Sequence, residues 1–127
     1  MINAIKRARQ AHRSAVEMLY EDTCTVYEYR PVRDEGSKIT SKREVLVWED
    51  VPCKLSFESL DITRLGENAA EKAVSVKLFL PPETPVKAGS KIVVNHEGKA
   101  EAYSNSGVPG RFPTHQEVEL KLFERWA

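Results

Sequence analysis

Two stretches of strict alternation constrain this chain more than any other feature. Val51-Pro52-Cys53-Lys54-Leu55-Ser56-Phe57 and the terminal run from Gly110 through Thr114-His115-Gln116-Glu117-Val118-Glu119-Leu120-Lys121-Leu122-Phe123 place polar and apolar residues in turn, each entered through a proline. A period of two sends successive side chains to opposite faces, so both stretches are half-buried β-strands. Thr23 to Arg30 is rich in β-branched and aromatic residues, with Tyr27 and Tyr29 on one side, and Pro31 is expected to end it. The polar turn Asp34-Glu35-Gly36-Ser37-Lys38 then leads into Val45-Leu46-Val47-Trp48, which predicts a hairpin with a long tip and a tryptophan over the core edge. Ala73 to Leu80 alternates and stops at Pro81-Pro82, Gly89 feeds a strand at Lys91 to Val94, and His96-Glu97-Gly98-Lys99 is a tight turn into Ala100 to Tyr103.

Only residues 2–20 show helical spacing. Ile2, Ile5, Ala8, His12, Ala15, Val16 and Leu19 recur at steps of three and four, an apolar stripe expected to pack on the strands with His12 as a neutral core imidazole. Lys6, Arg7, Arg9 and Arg13 lie beside or opposite the stripe and face one acid, Glu17, which makes the helix distinctly basic in a chain whose 19 cations and 19 anions otherwise balance. The expected fold is mainly β: one domain over residues 1–127, with a helix at 2–20 and a small antiparallel β-barrel of five to six strands at 22–126. Long loops are expected at 31–43, 58–72 and 104–113. Leu60, Ile62 and Leu65 on the second loop are apolar groups suited to cover by a neighbouring subunit, and the third carries Arg111 and Phe112.

The balanced charge removes the long-range attraction that a dedicated nucleic-acid binder uses. No stretch reaches the ~20 apolar residues of a membrane span, and the N-terminus lacks the apolar run of a signal peptide, so a cytoplasmic origin and no membrane partner are expected. Cys24 and Cys53 fall on strands and read as buried free thiols, and three scattered histidines without a Cys-x-x-Cys pair supply no zinc site. No catalytic constellation assembles. His115 and Glu117, two apart on a strand, share a face where a solvent-side hydrogen bond is expected; His96 sits in a turn; Gly107-Val108-Pro109-Gly110 lacks the Lys-Ser/Thr of a phosphate loop. Neither catalysis nor a metal or cofactor is expected.

Four segments, Asp22-Thr23-Cys24-Thr25-Val26, Val51-Pro52-Cys53-Lys54-Leu55, Pro85-Val86-Lys87-Ala88-Gly89-Ser90-Lys91-Ile92-Val93-Val94 and Thr114-His115-Gln116-Glu117-Val118, resemble the small head-tail connector proteins of long-tailed bacteriophages and defective prophages, the XkdH-like proteins of PBSX-type elements. The resemblance covers most of the chain after Asp22. It implies a β-barrel head-completion or stopper protein of the virion neck or of a tail-like particle, made in the bacterial host cytoplasm. It further implies a ring of roughly six or twelve copies set between a portal or adaptor ring and tail terminator proteins, close to packaged DNA. Under that reading Lys6, Arg7, Arg9, Arg13, Leu60, Ile62, Leu65, Arg111 and Phe112 are interface residues. The competing expectation is an OB-type binder of single-stranded nucleic acid that stacks bases on Tyr27, Tyr29 and Tyr103, although Lys54, Lys77 and Lys121 are interleaved with Glu58, Glu101, Glu119 and Glu124 and form no basic stripe.

Overall fold

Alternation builds a sheet that closes on itself. The structure, a computed structural model, describes residues 2–60 and 73–126. Its elements are α1 (Ile2–Glu17), β1 (Asp22–Arg33), β2 (Thr40–Leu60), β3 (Ala73–Leu80), β4 (Lys91–His96), β5 (Lys99–Asn105), β6 (Gly110–Arg111) and β7 (Gln116–Leu122). Every pairing is antiparallel. The order β3-β2-β1-β4-β5-β7 returns to its start because β7 also pairs with β3, and the two-residue β6 extends the β5 side of β7. The expected mainly β architecture with one N-terminal helix is therefore what forms, as a ring of six strands plus a short seventh.

Alternate residues of each strand fill the ring: Cys24 and Val26, Cys53 and Leu55, Leu78 and Leu80, Ile92 and Val94, Tyr103, Val118 and Leu120. Cys24 and Cys53 are buried free thiols, as the sequence predicts. The Glu97-Gly98 turn, with both residues at positive φ, joins β4 to β5 in the geometry that matches strand twist.

β2 departs from expectation. The sequence pattern shows two short strands around Asp50 and Pro52, whereas one strand runs unbroken from Thr40 to Leu60. Its register against β1 slips twice, between Cys24 and Val26 and again between Val26 and Tyr27, and Asp50 takes φ 49° at the first slip. These bulges bend the strand without ending it. Below them β1 and β2 belong to the ring. Beyond them Glu28–Arg33 and Thr40–Val45 pair only with each other, as a two-stranded ribbon that leaves the ring, since β4 reaches β1 only from Thr23 to Tyr27. Pro31 stands inside this ribbon opposite Lys42, where no ladder on its outer side asks for the missing N–H. The loop expected at 31–43 shrinks to residues 34–39, closed by Asp34, whose Oδ1 accepts from the Gly36 amide at 3.0 Å. Residues 58–60, 104–105 and 110–111, also expected in loops, are strand. The rest of the second loop, residues 61–72, with Ile62 and Leu65, lies outside the described residues, as does the side chain of Leu60.

The connection from Pro81 to Ser90 plugs the end of the ring where β3 finishes, burying Thr84, Val86 and Ser90. Buried amide side chains hold it there. Gln116 Nε2 donates to the carbonyls of Pro81 (2.9 Å) and Thr84, and Asn105 Nδ2 donates to that of Lys87 (3.1 Å). Trp48, at the core edge as expected, donates its indole N–H to the Pro85 carbonyl (3.0 Å). A buried carbonyl left without a donor costs a full desolvation penalty, so these three side chains determine the path of the plug.

The helix corrects another expectation. It ends at Glu17, short of residue 20, and its stripe does not pack on the strands: residues 3–12 are exposed all round, His12 among them, Ile5 is 52% exposed and Leu19 61%. Periodicity reports that one face is apolar and leaves open what covers it. Here the strands have already filled the ring, and the helix stays outside.

Replacing Gln116 with alanine should remove both plug hydrogen bonds and leave a buried cavity, destabilising the fold by roughly 2–4 kcal/mol. Denaturant unfolding checks this, and a change below about 0.5 kcal/mol, the scatter of ordinary surface substitutions, would show that the plug does not depend on the amide.

Candidate functional site

Among the described residues, three surface features stand out from the ring: α1, the β1–β2 ribbon, and an apolar mouth at the end away from the plug. α1 is tied down near its C-terminus. The Arg13 guanidinium spans both carboxylate oxygens of Glu83 in the plug, with Nη2 2.7 Å from Oε2, and its Nε donates to Glu17 at 2.6 Å. The hydrogen bonds to Glu83 and Glu17 raise the guanidinium further, and Arg13 in turn holds the Glu83 carboxyl below its ordinary value. A shallow cleft between α1 and Pro113 continues this attachment. Tyr20, half-buried behind it, is pushed up to about 12, first by burial and then by Glu17.

The mouth is apolar. Phe57 and Leu122 continue the inward-facing rows of β2 and β7, yet they are 54% and 61% exposed, and with Val76, Tyr103 and Leu120 they line a cleft of about 900 Å³. The same phenylalanine and leucine border a second cleft of about 520 Å³, rimmed by His96, Lys99 and Glu101. Beside it lies a buried carboxylate: Asp22 Oδ2 accepts from the Leu55 amide at 2.9 Å and Oδ1 meets His96 Nδ1 at 2.8 Å. That pair joins β1, β2 and β4, a structural task that uses both carboxylate oxygens.

On the outer wall, Tyr29 stacks on Trp126 with ring centroids 5.1 Å apart, Trp126 meets Phe123 edge-on, and Lys91 lies 5.0 Å from the Phe123 centroid while pairing with Glu44. Sequence reading did not connect Trp126 to Tyr29. Tyr103, expected at the surface, is in the core, so Tyr27, Tyr29 and Tyr103 form no common platform for stacking bases. The cause is register: Tyr27 and Tyr29 occupy outward positions of β1, whereas Tyr103 opposes Ile92 on the inward row.

Lys6, Arg7 and Arg9 lie exposed on α1, while Arg13 is committed to Glu83 and Glu17. Arg111 is exposed on β6. Phe112 stacks on His115 at 4.8 Å, so the loop they share folds back on the sheet. His115 Nε2 is 3.9 Å from Glu117 Oε1, too far for the expected hydrogen bond, and its Nδ1 meets Thr114 Oγ1 at 3.1 Å. Among the described residues, no group of three or more His, Cys, Asp or Glu could hold a metal ion, and no helix is long and apolar enough to cross a membrane.

No protein-family model matches the chain, and no curated protein matches it. One solved structure is similar: that of the phage-like element PBSX protein xkdH from Bacillus subtilis, at 15% sequence identity and a TM-score of 0.49, over 79% of this chain and 91% of that one.

The buried thiols and phenols predict an alkaline limit to stability. The Cys24 thiol beside it, and then burial, push the Cys53 thiol up, and burial does the same to Tyr103. The folded state therefore keeps protons that the unfolded chain begins to lose near pH 9 for cysteine and pH 10 for tyrosine. Stability should be level below pH ~8.5 and fall above it, by up to about 1.4 kcal/mol per pH unit for each such group. Unfolding titrations from pH 7.5 to 11 should show this decline, shallower in Cys53→Ala; equal slopes in the two proteins would remove Cys53 as a cause.

Proposed function

We propose that this chain is a structural subunit of the neck of a bacteriophage or phage-tail-like particle. It is a head-completion or stopper-type protein that works as a ring joining or closing the head-tail connector, and it performs no chemistry of its own. The observation that carries this reading is the division of the molecule into a plugged ring of strands and two appendages, α1 and the β1–β2 ribbon, exposed along nearly their whole length. Such a layout suits a subunit whose contacts lie with neighbours on several sides.

The four segments that resemble head-tail connector proteins also support it, because they meet in space. Asp22 binds the Leu55 amide, Thr23 faces Pro52, Thr25 faces Val93, and Gln116 holds the Thr84 carbonyl next to Pro85. Together they form the start of β1, the middle of β2, the plug with β4, and the start of β7. The proposed partners are further copies in a ring of roughly six or twelve, a portal or adaptor ring on one side and tail terminator proteins on the other. The exposed Lys6, Arg7 and Arg9 suit an acidic protein surface or packaged DNA.

Electron microscopy of particles from the producing cell, with this chain tagged at its C-terminus, tests the proposal. The tag should appear as one closed ring at the head-tail junction. A distribution along the tail tube, or a single copy per particle, would overturn it. Reversing Lys6, Arg7 and Arg9 to glutamate should leave the melting temperature within a few degrees, because exposed charges contribute little to folding. The yield of joined heads and tails should fall, and an undiminished yield would return these residues to the solvated surface.

A further inference from the structure

α1 meets the ring through very little. Among the described residues, the side-chain hydrogen bonds and ion pairs that run from α1 to the rest of the chain come from Arg13 alone, whose guanidinium spans Glu83 of the plug. From residue 3 to residue 17 only Arg13 and Val16 are even partly shielded. The chain is fixed again directly after the helix, where Glu21 pairs with Lys54 at 2.6 Å and Asp22 accepts from the Leu55 amide. Between these anchors lies a short turn, with Met18 and Leu19 exposed and the backbone closed by bonds from Leu19 N to Val16 O and from Tyr20 N to Glu17 O, both 3.0 Å. Two opposing effects meet there. A guanidinium spanning both oxygens of a carboxylate is a strong pairing, but the Arg13 and Glu83 side chains are 34% and 60% exposed, so water and salt screen it. Behind the pair the Tyr20 hydroxyl is buried, with no hydrogen-bond partner among the described residues, a cost that ends once water reaches it.

We propose that α1 is a hinged arm: it pivots as an intact helix at residues 18–20, the Arg13–Glu83 pair is its latch, and anions that compete for Arg13 release it. The latched and released positions are close in free energy, because a screened ion pair favours the first and the relieved Tyr20 hydroxyl favours the second. Nothing in the core depends on the choice, since the strands fill the ring without the helix. Release also changes what the arm presents. Arg13 shares a helix face with Lys6 and Arg9, at steps of three and four, and once free of Glu83 it joins them, so an anionic surface that draws α1 away from the plug meets one more cation than the latched arm offers.

The test measures the distance between nitroxide labels on the full chain by pulsed electron paramagnetic resonance. One label sits at Ala8→Cys on the helix and one at Lys121→Cys on the outer face of β7; native Cys24 and Cys53 are buried and take none. At about 10 mM salt the labels should report one narrow distance, and at about 1 M salt, where the Debye length has shrunk from ~30 Å to ~3 Å, that narrow distance should be lost to a broad distribution. Adding Glu83→Ala should give the broad distribution at every salt concentration. Adding Glu17→Gln, which removes the other partner of Arg13 but leaves the latch, should keep the narrow distance at low salt. Helical circular dichroism and the melting temperature should stay level throughout. Four results would overturn the inference: a narrow distance in the Glu83→Ala protein, a narrow distance in the parent at 1 M salt, equal broadening by Glu17→Gln, or a loss of helical signal on release, which would mean that α1 frays instead of pivoting.

Discussion

Everything in this molecule depends on β7 finding partners on both of its edges. Val76 to Leu80 takes one edge and Tyr103 to Asn105 the other, with Gly110-Arg111 completing the latter. Remove that closure and β3 becomes an exposed edge, β5 loses its neighbour, and the inward row of Leu78, Tyr103, Val118 and Leu120 has no opposite wall. A twisted antiparallel sheet of this size hides its edges most completely by joining the first strand to the last, and then only its two ends need attention. One end receives the Pro81–Ser90 plug. At the other, the inward-facing Phe57 and Leu122 are exposed.

That asymmetry organises the surface. Buried polar side chains gather at the plug: Gln116 and Asn105 each satisfy backbone carbonyls of a segment with no regular structure of its own. Exposed apolar ones lie at the mouth (Phe57, Leu122), on α1 (Ile5) and along the β1–β2 ribbon and its tip (Tyr29, Ile39, Leu46). The molecule thus has two unlike ends.

The strands were legible in the sequence because alternation reports burial directly; Cys53, Leu55, Val118 and Leu120 all point where the period places them. What escaped depended on pairing rather than on pattern. Asp50 and Pro52 look like the end of a strand, but a bulge opposite Thr25 absorbs Asp50, and Pro52 pairs in regular register with Thr23. Pro31 looks like a terminator and is tolerated because its ribbon has a free edge. The α1 stripe has the spacing of a packed helix, and no local feature says that the ring has no room for it. Gln116 did carry a readable signal, a polar residue on the inward row of an otherwise apolar strand, which marks a buried amide with carbonyls to satisfy. The basic cluster of Lys6, Arg7 and Arg9 on α1 was legible, because charge is read from the residues themselves. The mouth was not, since Phe57 and Leu122 look like core until the strand ends are known.

The unbroken course of β2 has a mechanical consequence. The ribbon of Glu28–Arg33 and Thr40–Val45 extends about 20 Å, at ~3.3 Å per residue, and is covalently one piece with the wall of the ring. A pull on its tip draws β1 and β2 together along their length, so the ladders that tie β1 to β4 and β2 to β3 take the load in shear. The bulges at Asp50 and Val47 are the compliant points in an otherwise stiff lever. A load on the ribbon is thereby delivered to Cys24, Val26 and Cys53 at the centre of the core.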